Sequence, residues 1–422
     1  MPVPEVCDGL RQLRDFSDCK QLSIDASGKA MKHGWVRSAS IATCTLVNKA
    51  GAGELRFGMP NPNYSGVGAA VVYAMHVGTF GREPDMMSVN SQAARAFGNG
   101  HLLSGPSAHW VAKAFLTKQD VLDGVFLPEP AIHKLVEAAD LKEPLCVVWP
   151  EQAIPVATYT LALTNWANQN AFDKVSAYIA GEITQKTADA IVRPGNGGAV
   201  AIPEWGKSQI LRLMVRSYLE MHMRKGVTVV LIDTSNDMAK KGRMEAVKAA
   251  LTALANGDAD GDRFSRFRNN EKLVLVSYSS NLNPTRELYI DRRADNPTAE
   301  LLAYLDELKP GAEPGDVSSA IGEAYQIARE QYSNGQERRV NLVVIVALDD
   351  DTGASELQLA EWAMENSGGM PEVSIFVLAL DATKDNPALN ALSEVVRASG
   401  GALWGVKSEG LVEAFVQARG YQ

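Results

Sequence analysis

Cysteine is scarce: the chain has four in 422 residues, Cys7, Cys19, Cys44 and Cys146, and none after position 150. No pair has C-x-x-C spacing, which excludes a zinc ribbon or a dithiol redox motif. One or two disulfides are open to the four, with no pairing assigned. Long apolar runs are also missing. None reaches the roughly 20 residues that span a bilayer, so no transmembrane segment is expected. The opening MPVPEVCDGLRQLRDF has no apolar leader core. The chain is expected either in the cytoplasm or, with a leader or anchor outside this sequence, beyond the membrane.

A basic surplus is absent too. Lys and Arg number 41 against 50 Asp and Glu, for a net charge of -9. That sign disfavours a nucleic-acid partner. In RFSRFRNNEK, Arg263, Arg266 and Arg268 stand beside Phe264 and Phe267. Such interleaving can grip RNA or a phosphate, but in an acidic chain a solvated loop is the preferred reading. The six histidines form no H-x-x-x-H pair, and His101 and His109 flank a Gly-Pro loop rather than a zinc site. Neither a G-x-S-x-G elbow nor a G-x-x-x-x-G-K-[ST] loop occurs, which removes support for a nucleophile-elbow hydrolase or a P-loop NTPase.

What is present is a globular composition, 46% apolar and 22% charged, long enough for two or three domains. SIATCTLVN reads as a strand, LRFGMP as a buried strand, and NPNYSGVGAAVVYAM as a turn entering a helix. Residues 88–116 read as helical, interrupted by a loop at Gly98–Pro106. CVVWPEQAIPVATYTLAL reads as two strands, and residues 171–191 as an amphipathic helix. RPGNGGAVAIPEWG is the best domain boundary. Beyond it, residues 205–224 read as helical, and VTVVLID, EKLVLVSYS, VNLVVIVAL and VSIFVLALD are short buried strands alternating with helices. That pattern predicts a doubly wound parallel α/β sheet. Its first strand ends in Asp233-Thr-Ser-Asn-Asp237, its third in Asp349-Asp350-Asp351, its fourth at Asp381. Strand carboxyl ends are where ligands collect in such sheets. Oxygen donors gathered there suit Mg2+, Mn2+ or Ca2+.

Read in order, VTVVLIDTSNDM, EKLVLVSYS, PGDVSSAIGEAY, VNLVVIVALDDD and LNALSEVVRASGGALW resemble a von Willebrand factor A domain over residues 204–422. The resemblance implies a Rossmann-like fold and a metal-ion-dependent adhesion site whose open coordination position takes an acidic residue of a partner. Asp233 matches its first aspartate and Ser235 its first serine. Asp237 stands in place of the second serine. Gly315 falls at the threonine position with Asp316 beside it. Asp350 matches the last aspartate, with Asp349 in place of a neighbouring threonine. The implied ligand set is Asp233, Ser235, Asp237, Asp316 and Asp350. Its extra carboxylates either hold a hard cation more tightly or mark a degenerate, metal-free scaffold.

Within residues 1–203, the Pro-Asn-Pro strand end, the Ser65-Gly66 entry into a helix, Trp149-Pro150 and Ile154-Pro155 resemble a bacterial extracellular solute-binding protein. Free N–H groups at that helix start can receive an anion or polar ligand, with Asn63, Ser65 and Gly66 as candidates; simple capping is the alternative. The first lobe is expected to be incomplete, which disfavours a small-molecule ligand. Together these readings predict a bacterial, non-enzymatic, adhesion- or scaffold-type protein with a protein partner. The alternatives are a solute receptor and a metal-dependent phosphoesterase, the latter without an evident general base.

Overall fold

The computed structural model describes residues 37–41, 43–119, 121–136, 141, 145–150, 154–156, 168–178, 199–201, 209–223, 226–256, 267–269, 271–292, 294–334, 339–348, 355–366, 373–382 and 386–419. The first half runs β1 (Arg37–Ile41), α1 (Thr43–Gly51), β2 (Phe57–Pro60), α2 (Gly66–Phe80), α3 (Gln92–Gly100), β3 (His101–Gly105), α4 (Ala108–Thr117), β4 (Gly124–Val125), α5 (Glu129–Val136), β5 (Cys146–Pro150), β6 (Ile154–Val156), α6 (Gln169–Tyr178), β7 (Ala199–Ala201) and α7 (Gln209–Ser217). A π-helical turn, Tyr218–His222, extends α7. Strands β3-β2-β4 form a parallel sheet, and β1-β5 and β6-β7 are parallel pairs.

Two local readings are corrected here. SIATCTLVN is not one strand: β1 ends at Ile41 and α1 begins at Thr43. Helix α1 buries Thr43, Cys44, Leu46, Val47 and Ala50, the spacing of one helical face. Its β-branched residues suggest a strand, and packing overrides that propensity. The Gly98–Pro106 segment is not a loop: β3 lies inside it and pairs with β2. Cys44 is disulfide-bonded; its partner lies outside the described side chains. The end of the 171–191 helix and the boundary segment before β7 lie outside the described residues.

Helix α2 is buried on nearly all sides from Gly68 to Thr79. Gly68 is required by close approach, since a Cβ there would strike the Pro60 carbonyl. Phe57 and Met59 of β2, Leu46 of α1, Val72 of α2 and Phe97 of α3 share one core with Leu211, Met214 and Tyr218. Residues 209–223, expected with the C-terminal half, therefore pack on the N-terminal core.

The second half runs β8 (Gly226–Asp233), α8 (Arg243–Asn256), β9 (Glu271–Tyr278), β10 (Arg286–Ile290), α9 (Ala299–Glu307), α10 (Val317–Asn334), β11 (Arg339–Ala347), α11 (Glu356–Asn366), β12 (Val373–Leu380), α12 (Pro387–Ser399), β13 (Ala402–Val406) and α13 (Leu411–Arg419). These strands make one sheet in the order β10-β9-β8-β11-β12-β13. All neighbours are parallel except the edge strand β10, which the sequence pattern does not announce. β9, β11 and β12 are buried at every position, as their unbroken apolar runs require. One face packs on α10, α11 and α12, the other on α8, α9 and α13. The two halves touch at buried Lys118, whose Nζ donates to the Ser399 carbonyl at 3.3 Å.

Candidate functional site

The chain leaves β8 for β9 on one side and later returns to place β11 on the other. The carboxyl ends of β8 and β11 therefore flank a topological switch point, where sheets of this class open a crevice. Asp233 closes β8 there and is 1% exposed. Its Oδ1 accepts the Ser235 N–H at 2.8 Å, and its Oδ2 accepts the Ala347 N–H at 3.1 Å, joining the two strands. Burial raises the Asp233 pKa above the usual carboxylate range; these amides pull it down, and the Asp237 charge pushes it up.

Ser235 is fully buried, and its Oγ makes no well-formed hydrogen bond, although it lies close enough to Asp233 to help lower that carboxylate's pKa. A Cβ on Gly315 would lie 3.4 Å from that Oγ, so the loop before α10 closes over it. The Asn236 N–H donates to the Glu313 carbonyl at 2.9 Å and the Gly311 N–H to the Thr234 carbonyl at 2.6 Å, which fixes that closure. Asp316 caps α10, its Oδ1 accepting the Ser319 N–H at 3.1 Å and its Oδ2 the Ser319 hydroxyl at 2.8 Å.

Tyr278, at the end of β9, is fully buried, its hydroxyl near the Asp233 carboxylate but without a well-formed hydrogen bond. Burial raises its pKa well above the ordinary phenol value, and the charges of Asp233, Asp316 and Asp237 add to the rise. The phenol thus feels the charge of three of the five positions proposed from sequence. Asp350, with Asp349, lies outside the described residues.

Two cations complete the rim. Asp237 is buried, and its Oδ1 is 2.6 Å from Lys240 Nζ. Arg243 has a fully buried side chain; its Nε donates to Asp381 Oδ2 at 2.9 Å and its Nη1 to the Asp237 carbonyl at 3.1 Å. It ties the β8 loop to the end of β12. Lys241 and Gly242 both adopt left-handed backbone, with φ of 54° and 67°, and turn the chain into α8. Sequence reasoning missed Tyr278, Lys240 and Arg243. Only the i,i+3 spacing of Asp237 and Lys240 carried a signal.

Among the described residues, no group of three or more His, Cys, Asp or Glu is arranged to hold a metal ion. Buried Asp233 and the Ser235 Oγ suit a hard cation. Asp237 suits one only when Lys240 is elsewhere, and Gly315 offers no side chain.

In the N-terminal half, Ser65 is the N-cap residue of α2 but makes no side-chain cap bond. The entry turn is organised by Asn61, which sequence reasoning passed over. Its Oδ1 accepts the Asn63 N–H at 3.0 Å and its carbonyl accepts the N–H groups of Tyr64 and Ser65. Asn61 Nδ2 and Ser104 Oγ are buried and unpartnered, at the carboxyl ends of paired strands β2 and β3. His101 does not pair with His109: it is fully buried, its Nε2 donating to the Leu103 carbonyl at 2.9 Å and its Nδ1 lying 3.1 Å from the Tyr218 hydroxyl.

Residues 228–351 match the family profile of the von Willebrand factor type A domain, and this part of the chain is such a domain. Among solved structures, the chain is similar to the von Willebrand factor type A protein from Catenulispora acidiphila, at 12% identity and TM-score 0.35, covering 47% of this chain and 42% of that one. It is similar to the vWF domain of the type V pili tip protein Mfa5 from Porphyromonas gingivalis, at 10% identity and TM-score 0.31, covering 46% and 93%. It is also similar to proximal thread matrix protein 1 from the mussel byssus, solved with a zinc-occupied MIDAS motif, at 10% identity and TM-score 0.31, covering 87% and 95%. The chain thus spans less than half of the Catenulispora acidiphila chain. No curated protein matches it.

Proposed function

We propose that this is a non-enzymatic interaction protein whose von Willebrand factor type A domain receives a protein partner at the carboxyl edge of its six-stranded sheet. The observation that carries the reading is the pair at the switch point: a buried Asp233 beside a buried Ser235 hydroxyl that makes no well-formed hydrogen bond. Groups of that kind are costly unless something satisfies them. A divalent cation, Mg2+, Mn2+ or Ca2+, would be held by Asp233 and Ser235, with Asp237, Asp316 and Asp350 direct or through water. When bound, it would offer an open coordination position to an acidic side chain of the partner. Asp233 orients the site by tying β8 to β11, and the 311–316 loop shields it from water.

Calorimetric titration of Mg2+, Mn2+ and Ca2+ into the chain and its Asp233→Ala variant tests this. Heat in the first and none in the second is expected; equal heats remove the metal site. The Cys44 disulfide supports an oxidising, extracytoplasmic setting. A break between Met223 and Gly226 is proposed as the domain boundary, because α7 and the π-helical turn belong to the N-terminal core.

A second reading has its own observation. Unpartnered Asn61 Nδ2 and Ser104 Oγ, with the first N–H groups of α2 at Gly66, favour a small anionic solute beside Asn63 and Ser65. This is the remaining ground for a solute-binding-protein-like N-terminal half. A thermal-shift screen of small anions against the chain and Asn61→Ala checks it; no shift in either rejects it.

A further inference from the structure

We infer that Lys240 is a tethered counter-cation of Asp237 which a divalent ion must displace before the rim is loaded. The inference rests on the rim reading above and deepens it to a regulatory device. Asp237 occupies the position where the resemblance places an uncharged serine, so this chain has one more buried negative charge than that pattern requires. The compensating charge comes from the chain itself. Lys240 follows three residues later, its Nζ 2.6 Å from Asp237 Oδ1, at the end of the 3-10 turn Asn236–Ala239. The carboxylate side chain is 4% exposed and the lysine side chain 51% exposed. The anion is therefore fixed in the rim, while its cation sits at the mouth on a flexible four-carbon stem.

The neighbouring groups separate the roles. Arg243, fully buried and bound to Asp381 and the Asp237 carbonyl, is a permanent strut. Lys240, half exposed, is the rim cation that an incoming ion would displace. Meanwhile the Ser235 hydroxyl beside Asp233 makes no well-formed hydrogen bond, so the ammonium neutralises charge without engaging it. A small hard cation would do both, and the two occupants would compete for Asp237.

The experiment is calorimetric titration of Mn2+ into the full chain and into Lys240→Met and Lys240→Arg. Removing the tethered charge should tighten Mn2+ binding by about tenfold or more, a difference of about 1.4 kcal/mol. Lys240→Arg, which keeps the charge, should bind as the parent does. Without metal, Lys240→Met should melt lower than the parent, and Mn2+ should restore it. Equal Mn2+ affinity in the parent and Lys240→Met overturns the inference while leaving the metal site standing. No Mn2+ heat in any of the three proteins overturns the inference and the metal reading together.

Discussion

The two halves of the chain bury polar groups in opposite ways. The C-terminal sheet keeps its interior apolar and places charge at its strand ends: Asp233, Asp237, Lys240, Arg243 and Asp381 at the carboxyl edge, and Glu271, Lys272 and Arg339 at the amino edge. The N-terminal half carries titratable groups inside its core. His76 lies on α2, its Nε2 2.7 Å from Ser88 Oγ; His222 contacts the Val89 carbonyl at 2.8 Å; His101 stacks on Phe57. A broad sheet with helices on both faces has a dry interior and a defined edge, so charge collects at the strand ends. A three-stranded sheet wrapped by helices has less apolar surface to offer, and its core includes the imidazoles of His76 and His101, which burial holds neutral. Burial lowers the His76 pKa to about 4, with Arg82 and His222 assisting and Asp85 opposing. Burial holds His101 well below its ordinary value, and the charge of Arg339 on β11 adds to that.

The contrast can be broken most forcefully at Arg243. Arg243→Met removes the cation that joins the β8 loop to Asp381, and about 3 kcal/mol of stability should go with it. Urea unfolding measures the loss, and amide exchange should localise it to the C-terminal half. Acidification probes the other side. The folded His76 pKa lies below its unfolded value, so its contribution is complete above about pH 6.5 and is lost as pH falls toward 4. That loss is about 3 kcal/mol for the full shift. Urea unfolding at pH 7 and pH 4.5 should show it, and a neutral replacement at His76 should flatten it.

Gly68→Ala tests the close packing of α2 on β2. With the Pro60 carbonyl in the way, the helix must shift, costing about 2 kcal/mol in a melting experiment. The smallest effect has the opposite sign to that of His76. Asp233 has a raised folded pKa, so without metal its term gains stability as pH falls through the interval between the ordinary carboxylate value and the raised one. Divalent cation should suppress that gain. A C-terminal half that lost stability in this interval in proportion to Asp233 would reverse the comparison.

The halves also differ in how much of them is legible along the chain. VTVVLID, EKLVLVSYS, VNLVVIVAL and VSIFVLALD each form a strand in the expected place, because burial on both faces demands unbroken apolar residues. Asp316 caps α10, as its place before the helix suggests. β10 escapes the reading: it is an antiparallel edge strand with three exposed positions and no buried run. In the N-terminal half, SIATCTLVN carries strand propensity and folds as a strand end followed by a helix, and β3 hides between Gly100 and Pro106. Short elements whose partners lie far along the chain leave little periodic trace.

Sequence alone determined the doubly wound architecture of the second half and the placing of acidic residues at its strand ends. Both follow from local rules, apolar runs for buried strands and polar residues where the chain leaves the sheet. Tertiary structure alone decided which charges those acids meet. It brought Tyr278 within the field of Asp233, Asp237 and Asp316, set Lys240 on Asp237, and drove Arg243 from the start of α8 to Asp381 at the end of β12. It also assigned residues 209–223 to the N-terminal core. Desolvation and ion pairing depend on which elements come together in space, and residues 138 positions apart, such as Arg243 and Asp381, meet only through the order of the strands.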